Sequence, residues 1–243
     1  MPVILHNRIP ALAAALALAS GLIAPGVAAE RDFPVTPAGT YEYEVRHESL
    51  GKIGTYVNEI SHEDGGIVVE TEVDISAKIL FVRVAREKAE RRQFWKDGRL
   101  VSYKSVTRSG SKEAVTRGRA EGDRFILEGP RGRIEAPAGL FPINPWSMGI
   151  VRAPVLMGEK NGTLHPVKGV EERTETLTID GRKVETRHFK LIGHRDEEIW
   201  FDERGVAVKF SADYKGDAIT FTLTNWEPAD GDEDQAAGGR GEP

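Results

Sequence analysis

From Gly39 onward the chain changes polarity at every second residue. Tyr41, Tyr43 and Val45 alternate with Glu42, Glu44 and Arg46, Leu177 and Ile179 with Thr174, Thr176 and Thr178, and Ile219, Phe221 and Leu223 with Thr220, Thr222 and Thr224. A period of two belongs to a strand with one buried and one wet face, and β-branched and aromatic residues favour such pleated surfaces. Turn residues recur between these runs: Asp64-Gly65-Gly66, Asp97-Gly98, Ser109-Gly110, Glu121-Gly122-Asp123, Asp180-Gly181, Arg204-Gly205 and Lys215-Gly216-Asp217. They supply the positive φ angles of tight hairpins, so neighbouring strands should pair antiparallel. The pattern predicts an all-β fold: a single large antiparallel meander, either a strongly curved sheet or an open barrel, with little helix. A helical turn or two is expected at 145–151, where Pro145 suits a first position.

One stretch does not fit a simple hairpin. Ile67 to Asp97 contains neither Gly nor Pro, and as one straight strand it would span about 100 Å at roughly 3.3 Å per residue. A domain of about 200 residues is only about 40–45 Å across. Val69, Val73 and Ile75 occupy odd positions, whereas Leu80, Val82 and Val84 occupy even ones. The inward face therefore changes sides near Ile79, which predicts a bulge or corner there. The rival is a helix over 85–93, since Glu, Lys, Ala and Arg favour one. No apolar stripe at helical spacing accompanies those residues, which favours strand.

The two ends read differently from the middle. His6, Asn7 and Arg8 precede an apolar run from Ile9 to Ile23, followed by Ala24-Pro25-Gly26-Val27-Ala28-Ala29. A basic start, an apolar middle and small residues at a cleavage site make a signal peptide, expected to span 1–29. The run is too short and too interrupted for a membrane anchor, and no later segment offers ten consecutive apolar residues. Stable membrane insertion after cleavage is not expected. Residues 228–243 carry five acids, one Arg and no aromatic or branched apolar residue, the composition of a disordered acidic tail. The β domain is thus expected over 30–227.

Composition narrows the chemistry. Among 243 residues there is no Cys, which removes disulfides, thiolate zinc sites, iron–sulfur clusters and thiol nucleophiles. An exported domain without disulfides must rest on its hydrophobic core, as about 200 residues allow. Periplasmic export is the expectation, with secretion beyond the cell second. The formal charge of −5 gives no electrostatic reason to bind nucleic acid or anionic lipid. No phosphate loop, nucleophile elbow or His-Glu-x-x-His pair is present. Gly51-Lys52-Ile53-Gly54-Thr55 reads as a hairpin turn.

The remaining polar candidates read as solvated faces. His47, His62, His165, His188 and His194 lack ligand spacing, so neither a metal nor any other cofactor is expected. Acidic pairs (Glu42 with Glu44, Glu70 with Glu72, Glu197 with Glu198) sit on strands as wet residues do. Arg83, Arg86, Lys88, Arg91 and Arg92, interrupted by Glu87 and Glu90, read as a solvent face with local ion pairs. Set beside Arg117 and Arg119 across a sheet, they would instead contact a phosphate or an acidic polymer. No catalytic residue is named, and the balance lies against an enzyme.

Aromatic residues mark the more informative places. Trp95 and Trp200 each precede a turn, in Phe94-Trp95-Lys96-Asp97-Gly98 and Ile199-Trp200-Phe201-Asp202-Glu203-Arg204-Gly205, like two related hairpin modules in the core. The loop 136–148 is long and apolar, and such a loop must cover the sheet, plug its concave face or line a pocket. Taken together, the signal segment, Gly51-Lys52-Ile53-Gly54-Thr55, Phe94-Trp95-Lys96-Asp97-Gly98-Arg99-Leu100 and Trp200-Phe201-Asp202 resemble a family of exported bacterial proteins catalogued only as a domain of unknown function. That resemblance spans most of Gly39 to Trp226. It implies an exported β architecture and transfers no catalytic residue.

The function expected is binding or carriage of an apolar, lipid-like ligand in the cell envelope, at Leu140, Phe141, Ile143, Trp146 and Phe81. Similar open barrels serve as such carriers, which is analogy at the level of fold. The alternatives are a non-catalytic assembly or scaffold protein whose partner is another envelope protein, and a hydrolase acting on envelope polymer. Exposed strand edges also admit a homodimer.

Overall fold

The alternating runs form strands. A computed structural model describes residues 33–79, 82–193, 197–214 and 216–229. Its first meander comprises β1 (Gly39–His47), β2 (Gly51–Glu63), β3 (Gly66–Ile79), β4 (Val82–Lys96), β5 (Arg99–Ser109), β6 (Lys112–Glu121), β7 (Arg124–Gly129) and β8 (Gly132–Pro137). Three short strands follow, β9 (Leu140–Pro142), β10 (Val155–Met157) and β11 (Leu164–Pro166). The second meander is β12 (Lys168–Ile179), β13 (Arg182–Ile192), β14 (Glu197–Phe201), β15 (Ala207–Tyr214) and β16 (Asp217–Pro228). The expected signal segment, nearly all of the expected tail, His194 and Phe81 lie outside the described residues.

Both meanders belong to one antiparallel sheet of 13 strands, in the order β12-β13-β14-β15-β16-β1-β2-β3-β4-β5-β6-β7-β8. They join where the last strand lies beside the first, with Tyr41 opposite Trp226 and Val45 opposite Phe221. The edges β12 and β8 do not pair with each other, so the sheet is open. Register shifts at Glu42/Tyr43, Val45/Arg46, Phe94/Trp95 and Trp200/Phe201 bend and twist the long strands.

The stretch from Ile67 to Asp97 breaks at the place where the apolar phase changes. A register shift falls between Ala77 and Lys78, and the chain then reverses, with Ile79 opposite Val82. The outcome is a hairpin of two long strands, and residues 85–93 are strand. The β4–β5 turn uses Asp97 and Gly98 at φ 51° and 69°, the pair of positive angles that a two-residue hairpin requires. Gly51-Lys52-Ile53-Gly54-Thr55 is not itself a turn: the chain reverses just before it, and these residues open β2. A Cβ on Gly54 would stand 2.1 Å from the Asp74 carbonyl oxygen, so that glycine is there for the close approach of β3.

The antiparallel pattern fails in one place. Between β8 and β12 the chain turns inward and makes a separate sheet, in which β9 pairs parallel with β10 and β10 pairs antiparallel with β11. A turn of 3₁₀ helix (Met148–Arg152) links β9 to β10, with the Ser147 hydroxyl accepting from the Gly149 N–H. This insert supplies the centre of the core: Leu140, Met148, Ile150, Leu156 and Met157 are buried against Tyr43, Val69, Leu100, Phe125 and Phe201 of the large sheet. Burying one such side chain stabilises a protein by about 1.5–3 kcal/mol.

If the insert is core, truncating it costs as much as truncating any strand. Leu156→Ala is expected to lower the unfolding free energy by about 3 kcal/mol, whereas Ile192→Ala, at a side chain 56% exposed, changes it by less than about 0.5 kcal/mol. Denaturant titration compares the two. Equal, small effects would mean that the insert lies loosely on the sheet.

Candidate functional site

The β10–β11 connection carries the polar part of the insert. It closes on itself, the Gly158 N–H donating to Thr163 O (2.8 Å) and the Gly162 N–H to Gly158 O (2.8 Å). Its outward carbonyls are taken up by the large sheet. The Tyr103 hydroxyl donates to Glu159 O at 2.9 Å, and the Thr116 hydroxyl to Lys160 O at 3.0 Å. Held in this way, the turn aims the Glu159 side chain at β4.

There it meets Arg91. Alternation along β4 puts Ala89, Gln93 and Trp95 on the buried face, and Arg91 shares their parity. Arg91 Nη1 lies 3.0 Å from Glu159 Oε2, with both side chains under 9% exposed. Burial penalises the ionised carboxylate more than Arg91 recovers, which raises Glu159 to about 7. Burial also works against the guanidinium, but Glu159, with Tyr103, Tyr56 and Glu87 nearby, outweighs it and holds Arg91 above its usual value. The next residue of the turn repeats the contact at the surface, where Lys160 Nζ reaches Glu87 Oε2 at 2.8 Å and the Ser109 hydroxyl at 2.6 Å. The solvated-face reading of the basic run therefore holds for Arg86, Lys88 and Arg92 but fails for Arg91. It also fails for Glu197, which is 7% exposed and shares the inward parity of Ile199.

These groups form one wall of a cavity of about 510 Å³. Most of the rest of the lining is apolar: Ile199 from β14, Phe210 from β15, Ile219 and Phe221 from β16, and Ile143 and Ile150 of the insert, with Glu197 and Ser211 as polar neighbours. Phe210 and Phe221 stack at 4.3 Å, and Tyr56 meets both edge-on. Lys160 and Asp213, both exposed, line the cavity as well, so it opens to solvent. Among the described residues, Arg91 Nε and Glu159 Oε1 are buried without a hydrogen-bond partner, while the Tyr56 hydroxyl is hydrogen-bonded to the Thr71 side chain. Thr71 in turn donates to Asn58 at 2.8 Å and accepts from Asn144 at 3.1 Å. Buried polar atoms are nearly always satisfied, by protein or by something bound. A buried ion pair with an unsatisfied atom on each partner, in the lining of an open, largely apolar cavity, marks it as the candidate binding site.

The residues expected from sequence to bind a ligand are divided by the fold. Ile143 lines this cavity. Phe141 and Trp146 line a second one of about 460 Å³, beside His62, Ile67 and the β4–β5 turn, toward the other end of β3. There they pack with Trp95, at 4.6 and 5.4 Å between ring centres. Leu140 is core, 1% exposed. Tyr56, Arg91, Glu159 and Lys160 were missed. Trp200 and Trp95 are not equivalent either. Trp200 stacks on His188 at 4.4 Å and under Lys209, on the face opposite Ile199, while Trp95 packs inward. Burial holds His188 below its usual value, against the pull of Glu198 at 3.5 Å. Among the described residues no three acidic or His side chains converge as metal ligands do.

A solved structure shares this architecture. The chain is similar to a beta-barrel-like protein of the domain of unknown function DUF1849 from Brucella abortus, with a TM-score of 0.59 and 11% identity over 82% of this chain and 100% of that one. At that identity the likeness concerns the fold. Residues 43–224 match the family model described as Domain of unknown function (DUF6134), and the chain belongs to that family. None of the curated proteins compared with it matches the sequence.

The Glu159 carboxyl, raised to about 7 from an ordinary 4.5, binds its proton more tightly in the folded than in the unfolded state. Its contribution to stability is therefore complete below about pH 4.5 and is lost as the pH rises through 7. Carbon-13 NMR of Glu159 is expected to show a midpoint near 7. The fall in denaturation midpoint between pH 5 and pH 8 should be smaller in Glu159→Gln. A midpoint near 4.5 would contradict this.

Proposed function

We propose that this protein is an exported, non-catalytic binding protein of the cell envelope that holds an apolar or amphiphilic guest in this cavity. The observation that carries this reading is the cavity itself. Apolar side chains of β14–β16 and the buried Arg91–Glu159 pair line the same cavity. A volume near 510 Å³ falls within the roughly 300–1,000 Å³ of sites that enclose small organic ligands. Export rests on the sequence of 1–29, with the small residues Val27 and Ala29 placing the mature start at Glu30.

The test is native mass spectrometry of protein isolated from the periplasmic fraction, where a chain starting at Glu30 and carrying an apolar adduct is expected. In vitro, the mature protein should enhance the fluorescence of N-phenyl-1-naphthylamine. Ile219→Trp, which fills the cavity from β16, should weaken that binding at least tenfold while the protein stays folded by circular dichroism. Ligand-free protein together with no dye uptake would overturn the reading.

A further inference from the structure

Net charge conceals how charge is arranged on the large sheet. Along β1–β3 the exposed charged side chains are two Lys or Arg and six Asp or Glu, whereas along β4–β6 they are nine Lys or Arg and three Glu, namely Glu90, Glu113 and Glu121. The outer face thus changes sign between β3 and β4. Surface charges further apart than about 8 Å are largely screened at physiological salt, so an approaching partner meets this local excess of cations and not the formal −5 of the whole chain.

Strand register turns the excess into a stripe. Arg92 lies opposite Lys104, and Lys104 opposite Arg117, which sets three cations in a row across about 10 Å at the usual strand spacing. Along β4, from Arg86 to Lys96, the stripe extends over about 33 Å. Four of the nine are neutralised by neighbours: Arg92 by Glu63 and Glu70, Lys88 by Asp74, Arg108 by Glu90 and Glu113, and Arg119 by Glu121. Arg86, Lys96, Lys104, Lys112 and Arg117 form no ion pair among the described residues. Like charges directly opposite one another destabilise a sheet, so folding gives no reason for Lys104 and Arg117 to face each other unpaired.

One end of the stripe lies at the cavity. Arg86 adjoins Glu87, whose carboxylate accepts from Lys160 in the cavity lining. The five uncommitted cations are exposed and spread both along and across the strands, an arrangement that complements a plane of negative charge better than a single anion. We propose that the β4–β6 face docks the protein on an anionic lipid bilayer, by electrostatic attraction and without insertion, and brings the cavity mouth to the lipid surface. Each Lys or Arg held near such a surface strengthens binding about fivefold. The docking does not depend on whether the cavity holds a guest.

Sedimentation of the mature protein with vesicles of equal parts phosphatidylglycerol and phosphatidylcholine, and with vesicles of phosphatidylcholine alone, tests the docking. Binding to the anionic vesicles only is expected, falling at least tenfold as salt is raised from about 50 to about 200 mM. Lys104→Gln combined with Arg117→Gln should weaken it at least tenfold while the protein stays folded by circular dichroism. Arg182→Gln combined with Lys183→Gln, at exposed positions beside the β12–β13 turn, should leave it unchanged. No binding, equal binding to the neutral vesicles, or an effect of the first pair no larger than that of the second overturns the docking. Binding to soluble polyphosphate with none to vesicles overturns it as well, in favour of a linear polyanion.

Discussion

The Arg91–Glu159 ion pair ties the large sheet to the segment that fills it. Breaking a buried pair by removing one partner costs about 3–5 kcal/mol, yet replacing both by well-packed apolar residues is often neutral or better. Stability is therefore a poor reason for such a pair. What it adds here is position. The β10–β11 turn has its carbonyls held by Tyr103 and Thr116 and its carboxylate held by Arg91. The turn thus sits at a fixed height over β4, and the space beneath Ile143 and Ile150 is fixed with it.

An open sheet of 13 strands has more inner surface than its own side chains cover, and the insert meets that surface in two ways. Leu140, Met148, Ile150, Leu156 and Met157 pack on apolar residues of the large sheet. Asn144 meets the polar inner residues Asn58 and Thr71, donating to the first at 3.1 Å and accepting from it at 3.0 Å. Polar groups of the insert thus meet polar groups of the sheet. The match to the beta-barrel-like Brucella abortus structure extends to the whole of that chain, so the curled sheet is an architecture the two proteins have in common.

The large sheet was legible because its signals are local. β1, β12 and β16 follow from alternation alone, and the Asp-Gly pairs mark hairpins. That the apolar segment 136–148 would turn inward was also readable, since so many aromatic and branched residues cannot stay wet. Two things were not. The parallel pairing of β9 with β10 involves strands of three residues, too short for any period. Arg91 and Glu159 were hidden by opposite causes. Leu80, Val82 and Val84 suggest an even-numbered inward face, which turns Arg91 outward, whereas counting back from Trp95 through Gln93 and Ala89 turns it inward. Glu159 lies in Gly158-Glu159-Lys160-Asn161-Gly162, a run with the composition of an exposed turn, and its burial comes from the tertiary docking of that turn. Glu197 was readable in principle, because it shares parity with Ile199 on a buried strand face.

Whether residues 137–167 are a fixed part of the core or a lid over it decides how the cavity is to be understood, and amide hydrogen exchange resolved by residue measures this. The Ile143, Gly158 and Val167 amides donate to Met157 O, Thr163 O and Pro154 O at 3.0, 2.8 and 3.1 Å. If the insert is core, these amides exchange only through global unfolding, with the same opening free energy as the central strands β2 to β5. Exchange of all three at a much lower opening free energy, with the strands still protected, would show a segment that opens by itself and would contradict the account.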